Sequence, residues 1–203
     1  MSDLKLTYFD TTSGRGEPLR ILFKAGNIPF EDHRISFAEF GQTYMNFPMG
    51  AVPVLEKDGH TYTQTNSLLR YYGKLTGFYP EDSWEAYKCD EVMDATEDLI
   101  HKLVQTFGLK DDALVAARKK LLDGPITRYL KLLDARLEAA GGHYLADNRF
   151  TVADMKVFIQ LRSFTAGFIE HVPADVTSTV APKVQAYADR IAKEAAIVEY
   201  DAD

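Results

Sequence analysis

Thr65, Asn66 and Ser67 follow a strand-like run, Thr61-Tyr62-Thr63, and precede Leu68, Leu69, Tyr72 and Leu75 at helical spacing. That order puts a helix N-terminus, with its hydroxyls and unpaired backbone N–H groups, at the end of a strand. Dipole and free donors together attract a carboxylate or phosphate to such an end. Ordinary capping by the same three residues is an equal alternative. A second concentration of chemistry lies on one long helical pattern, where Asp90, Asp94, Glu97 and Asp98 follow at spacings of four, three and one. Carboxylates at four-residue spacing repel weakly, so a cationic partner is expected nearby. A solvated acidic face and a weak Ca²⁺ or Mg²⁺ site built from the carboxylates of two subunits are the alternatives. Other reactive groups are sparse. Cys89 is the single cysteine, so no internal disulfide is possible, and His33, His60, His101, His143 and His171 form no pair with metal-ligand spacing. No metal is expected.

Several elements must position these groups. Leu4-Lys5-Leu6-Thr7-Tyr8-Phe9 alternates as a strand and ends in the polar loop Asp10-Thr11-Thr12-Ser13-Gly14. Arg15-Gly16-Glu17-Pro18 opens a helix that Gly26-Asn27 stops. Phe30 to Ile35 reads as a second strand, and Ser36 to Met49 as a mobile short helix and loop. Val54-Leu55-Glu56 and Thr61-Tyr62-Thr63 flank Asp58-Gly59, a tight-hairpin signal, with Pro53 just before the first strand. The order is β-α-β-(α)-β-β-α. Tyr79-Pro80-Glu81-Asp82-Ser83 is a turn-rich bridge, dividing the chain into residues 1–79, a linker at 80–84 and residues 85–203.

Beyond the bridge the strand signal disappears. Trp84 to about Gly108 is one amphipathic helix, and Leu114 to Ala140 a second, kinked at Gly124-Pro125. Thr151 and Asp154 form a capping box, with Phe150 and Met155 spaced as a hydrophobic staple, so Asp154 reads as structural. The helix that follows is apolar on most faces (Val157, Phe158, Ile159, Leu161, Phe164) and is expected at the centre of a bundle. Two shorter helices, Pro182 to Lys193 and Glu194 to Tyr200, close the chain.

Composition narrows the class. The 203 residues are 46% apolar and 26% charged, as in globular proteins, and the net charge of −7 argues against a nucleic-acid surface. No apolar run reaches the ~20 residues that cross a bilayer. The start, Met-Ser-Asp-Leu-Lys-Leu, lacks the apolar core of a signal peptide, and cytoplasmic residence is the expectation.

The strand ending Leu-Thr-Tyr-Phe, the Gly-Arg-Gly-Glu at the first helix, the Val-Pro-Val before a hairpin and Gln64-Thr65 at a helix start occur in that order. With the Thr-Val-Ala-Asp box in an all-helical second half, they resemble the cytosolic glutathione transferases, nearest the sigma class. The resemblance covers almost the whole chain. It implies a thioredoxin-like α/β N-terminal domain, an all-α helical-bundle C-terminal domain, a homodimer, and glutathione held between the domains as co-substrate, with no permanently bound cofactor.

It also implies roles. Tyr8 matches the catalytic tyrosine and Arg15 a supporting cation. Gln64 and Thr65 match the residues that hold the γ-glutamyl carboxylate. Val52 matches the residue whose backbone pairs with the cysteinyl unit, before a cis bond to Pro53. Asp98 matches the acid that reaches across the dimer to the α-amino group. At the glycine end the family commonly places a tryptophan and lysines, whereas this chain has Phe40, Tyr44 and Ala51, with Gly50 beside them and no Lys or Arg between Ser36 and Glu56. Weaker glutathione binding, or a cation from elsewhere in the fold, is therefore expected. A hydrophobic electrophile is expected against Gly14, Ile100, Gln105, Phe107 and Phe164. Conjugation is the leading activity. Glutathione-dependent isomerisation of the prostaglandin D synthase type, and a non-catalytic carrier or lens-type structural protein, are the alternatives.

Overall fold

The structure is a computed structural model that describes residues 4–202; residues 1–3, with the polar start read above, and residue 203 lie outside the described part. Strand β1 (Leu4–Phe9) pairs in parallel with β2 (Glu31–Ile35) across helix α1 (Glu17–Ala25), and antiparallel with β3 (Val54–Lys57), which turns into β4 (His60–Tyr62). The sheet order is β2-β1-β3-β4. Asp58 and Gly59 both adopt positive φ (51° and 76°), as a two-residue hairpin turn twisted with its strands requires. Helix α3 (Thr65–Thr76) follows. This is the thioredoxin-like arrangement that the resemblance implied, with the elements in the expected β-α-β-(α)-β-β-α order. The stretch from Ser36 is more regular than expected. The Ser36 hydroxyl accepts the Glu39 N–H at 3.1 Å and caps α2 (Phe37–Thr43), and two short 3₁₀ turns, Tyr44–Asn46 and Pro48–Gly50, carry the chain on.

The rest is helical: α4 (Ser83–Val104), α5 (Asp111–Leu121), α6 (Thr127–Ala139), α7 (Val152–Thr165), α8 (Val176–Val180), α9 (Pro182–Ile191) and α10 (Ala195–Asp201). A wider π-type turn at Leu122–Ile126 joins α5 to α6 and contains Pro125, whose missing N–H breaks the regular ladder there. Short α8 was not legible as a separate element. Helix α7 is buried on nearly every face, and its start is the expected capping box. Asp154 is fully buried and accepts from the N–H groups of Thr151 (2.9 Å) and Leu145 (3.1 Å) and from the Tyr187 hydroxyl (2.8 Å). One continuous core runs from Leu6 and Phe23 through Leu69, Cys89 and Met93 to Leu161 and Ile191, so sheet and bundle share an apolar centre. Among the described residues no helix is long and apolar enough to cross a membrane.

Candidate functional site

Tyr8, the penultimate residue of β1, is 6% exposed. Its hydroxyl accepts the Arg15 backbone N–H at 2.9 Å, which leaves the hydroxyl's own proton for another acceptor. Burial pushes the phenol above its ordinary range, against the Arg15 N–H and the charges of Arg15 and Arg20, so the group stays protonated at neutral pH. Arg20 stacks over its ring at 5.7 Å and is itself buried against Glu17.

Between the sheet and the bundle lies a cavity of about 540 Å³. Tyr8, Gly14, Arg15, Phe40, Gly50, Ala51, Val52, Ile100 and Phe107 all line it, brought together from β1, the 10–16 loop, α2 and the end of α4. Val52 and Pro53 are joined by a cis peptide bond, and both are buried. The electrophile side departs from expectation at two positions. Phe164 is fully buried in the core, because α7 turns that face away from the cavity; Gln160 and Ser163 of the same helix line it instead. Gln105 lies just past the end of α4 and is exposed, and Leu103 and Val104 take the wall. Phe9, Thr11, Ser13, Phe37, Phe168 and Ile169 complete the lining. The polar pair Gln160/Ser163, three residues apart on one face of α7, was the signal in the sequence that could have found this face. Gln160 donates to the Ser163 hydroxyl at 3.1 Å.

The helix start at residue 64 differs from simple capping. Gln64, not Thr65, is the boundary residue; it sits at φ 73°, ψ 96°, a strained conformation for a residue with a side chain, and is exposed. Thr65 is the first helical residue, buried, and donates its hydroxyl to the Arg15 carbonyl at 3.2 Å. Asn66 donates its amide to Asp94 at 2.6 Å. The first helical bond runs from Leu68 N–H to the Gln64 carbonyl, so the N–H groups before it precede the ladder, as an anion-attracting end requires. Tyr44 is exposed and packs by Gly50 and, at 6.2 Å between rings, by Phe40.

The acidic helix face has its cations, and they are protein side chains. Arg70 binds Asp90 at 2.7 Å and Asp94 at 3.2 Å, while Glu97 takes Arg15 at 2.6 Å and Lys156 at 2.7 Å. Burial pushes the Glu97 carboxyl up, but Lys156 and Arg15 outweigh it and hold it below its ordinary range. No cluster of three or more metal-ligating side chains occurs among the described residues. Asp98 does not share the face. One residue rotates a helix by about 100°, so with Glu97 turned to Arg15, Asp98 is exposed and lines a separate groove with Lys102 and Arg128. Arg15 is the one cation among the residues that line the cavity beside Tyr8. Cys89 is no rival nucleophile, since burial pushes its thiol up to about 12. The site thus offers a protonated hydroxyl and one guanidinium in an aromatic-walled cavity, with the start of α3 outside that lining, a combination suited to holding an anion beside an apolar reactant.

The chain is similar to known proteins in both sequence and fold. Residues 97–203 match the family described as Glutathione S-transferase, C-terminal domain. Glutathione S-transferase 3 of Caenorhabditis elegans is 32% identical over 162 residues, covering 77% of this chain and 78% of that protein. Among solved structures, prostaglandin synthase D of Nilaparvata lugens superposes with a TM-score of 0.86 at 26% identity, over 98% of this chain and 97% of the other. A sigma class transferase of Fasciola hepatica gives 0.81 at 25% identity, over 98% and 95%.

Proposed function

We propose, because the chain belongs to the glutathione S-transferase family, that it binds glutathione in the cavity beside Tyr8 and conjugates its sulfur to hydrophobic electrophiles. The observation that carries this reading is the Tyr8 hydroxyl, satisfied as an acceptor by Arg15 N–H and lining the cavity with its proton to give. A free thiol has a pKa near ~8.5, so little thiolate exists at neutral pH. Lowering that value by about two units takes roughly 2.7 kcal/mol of preference for the anion. A hydrogen bond to a charged group supplies ~1.5–3 kcal/mol, so Tyr8 accounts for much of the effect. The thiolate then attacks the electrophilic carbon; a C–S bond forms, and an aryl halide loses its halide with the bonding electron pair.

In this reading the γ-glutamyl carboxylate lies at the start of α3, by Gln64 and Thr65, and the cysteinyl unit pairs with the Val52 backbone. Asp98, exposed and turned away from its own cavity, serves the α-amino group of the glutathione in a partner subunit, which makes the protein a homodimer. With Phe40, Tyr44 and Ala51 at the glycine end and Arg15 the one lining cation, glutathione is held more weakly than in sigma-class relatives. We place the protein in the cytoplasm. The fold shared with a prostaglandin synthase D supports a second reading, isomerisation by the same thiolate without net conjugation.

Titration calorimetry with glutathione, followed by conjugation of an aryl halide, tests the proposal. Binding with turnover is expected. Binding without turnover favours a carrier, and turnover of a prostaglandin endoperoxide alone favours the isomerase.

A further inference from the structure

We propose that Lys156 is a positioning residue for glutathione: from the helical half it holds, through Glu97 and Asn66, both the Arg15 loop and the start of α3. The inference rests on the reading of the cavity given above. Lys156 sits between Met155 and Val157 on the most buried helix of the molecule, with its side chain 1% exposed. Taking an ammonium out of water is costly, and an apolar residue of the same length fills the space without that cost. The partners show what the charge does there.

The Lys156 Nζ donates to Glu97 Oε2 at 2.7 Å and to the side-chain oxygen of Asn66. Glu97 Oε1 takes Arg15 Nε at 2.6 Å. Arg15 in turn gives its N–H to Tyr8 and receives the Thr65 hydroxyl on its carbonyl. Asn66, whose amide is fixed on Asp94, is the second residue of α3. The Arg15 loop, which lines the cavity, and the start of α3, which lies behind it on the Arg15 carbonyl, are therefore both tied to one ammonium of the bundle. Removing it releases a Glu97 oxygen and the Asn66 carbonyl together. Two cations, Arg15 and Lys156, thus share the single Glu97 carboxylate. Burial pulls the ammonium below its ordinary range, and the Glu97 carboxylate opposes this.

A purely structural clamp between the two halves is the competing explanation, and the two separate in kinetics. Lys156→Met keeps the length and apolar fill. The expected result is a rise of about tenfold in the glutathione dissociation constant and KM, at the lower end of the ~10–100-fold that outer-shell partners contribute at metal sites. The KM for the aryl halide and kcat at saturating glutathione stay within about twofold, while Lys156→Met combined with Glu97→Gln is less than additive. Unchanged glutathione affinity in Lys156→Met overturns the proposal alone. A fall in kcat with both KM values raised in step with a lower Tm also overturns it, in favour of the clamp. If wild-type protein itself binds no glutathione, the reading of the cavity fails and this inference with it. Should Lys156→Met not fold, Lys156→Gln, which is uncharged and one atom too short to serve Glu97 and Asn66 as the ammonium does, must show the same selective rise; its absence overturns the proposal.

Discussion

Gly14 approaches Tyr8 so closely that a Cβ on it would stand 2.3 Å from the phenol oxygen, and its φ of +83° already disfavours a side chain. Gly14→Ala must therefore push the hydroxyl aside. Misplacement of a reacting group by about 1 Å can cost ~100-fold, and that loss in kcat/KM is expected, with a stability cost of ~1–2 kcal/mol from the left-handed backbone. Wild-type kcat/KM in the variant would show that the hydroxyl takes no part.

Tyr8→Phe removes the proton and keeps the ring that packs edge-on against Phe9 at 5.2 Å. The expected fall in kcat/KM is about 10- to 100-fold, from the ~1.5–3 kcal/mol of one charge-assisted hydrogen bond. The thiolate ultraviolet absorbance of bound glutathione at pH 7 should vanish with it. An unchanged spectrum removes Tyr8 from sulfur activation.

Phe107 forms part of the cavity wall, is 57% exposed, and carries the buried Arg118 guanidinium over its ring at 5.2 Å. Phe107→Ala should raise the KM for an aryl halide about fivefold, by loss of ~1 kcal/mol of apolar and ring contact. The KM for glutathione should hold. Equal change in both would mean the wall is not specific to the electrophile.

Acid should weaken the fold through Glu97. Its folded pKa is depressed by Lys156 and Arg15 against burial, so the folded form binds protons less readily than the unfolded one. The stabilisation is complete above the unfolded value of ~4.3 and is lost as pH falls below it through the depressed folded value. Urea midpoints measured from pH 7 to 3 should drop more steeply in wild type than in Glu97→Gln. Parallel curves would mean that Glu97 is not ionised against its two partners.

Asp154→Ala leaves two backbone N–H groups and the Tyr187 hydroxyl without their buried acceptor. Each such group costs ~1–3 kcal/mol, though not additively, so a loss of about 3–5 kcal/mol in urea unfolding is expected. A loss under ~1 kcal/mol would make the box ornamental.

The residues that make local structure could be read from the chain alone. Alternation from Leu4 to Phe9, Asp58-Gly59 between two short strands, Thr151 with Asp154, and Gly124-Pro125 inside a helical run each constrain a few neighbouring φ/ψ angles, and each yields the expected strand, turn, cap or break. Motif order likewise singled out Tyr8, Arg15 and Val52, which meet in one cavity. Tertiary structure decided what local patterning cannot encode. An acidic stripe announces that cations are near, but only the packing of α4 on α7 and on the Arg15 loop selects Lys156, 59 residues from Glu97, and Arg15, 82 residues from it. A helix buried on nearly every face has no periodic mark of its cavity side, so Phe164 went to the core and Gln160 to the cavity. Side-chain type and spacing set which faces must be buried; the angle at which helices cross sets which buried residue meets a ligand.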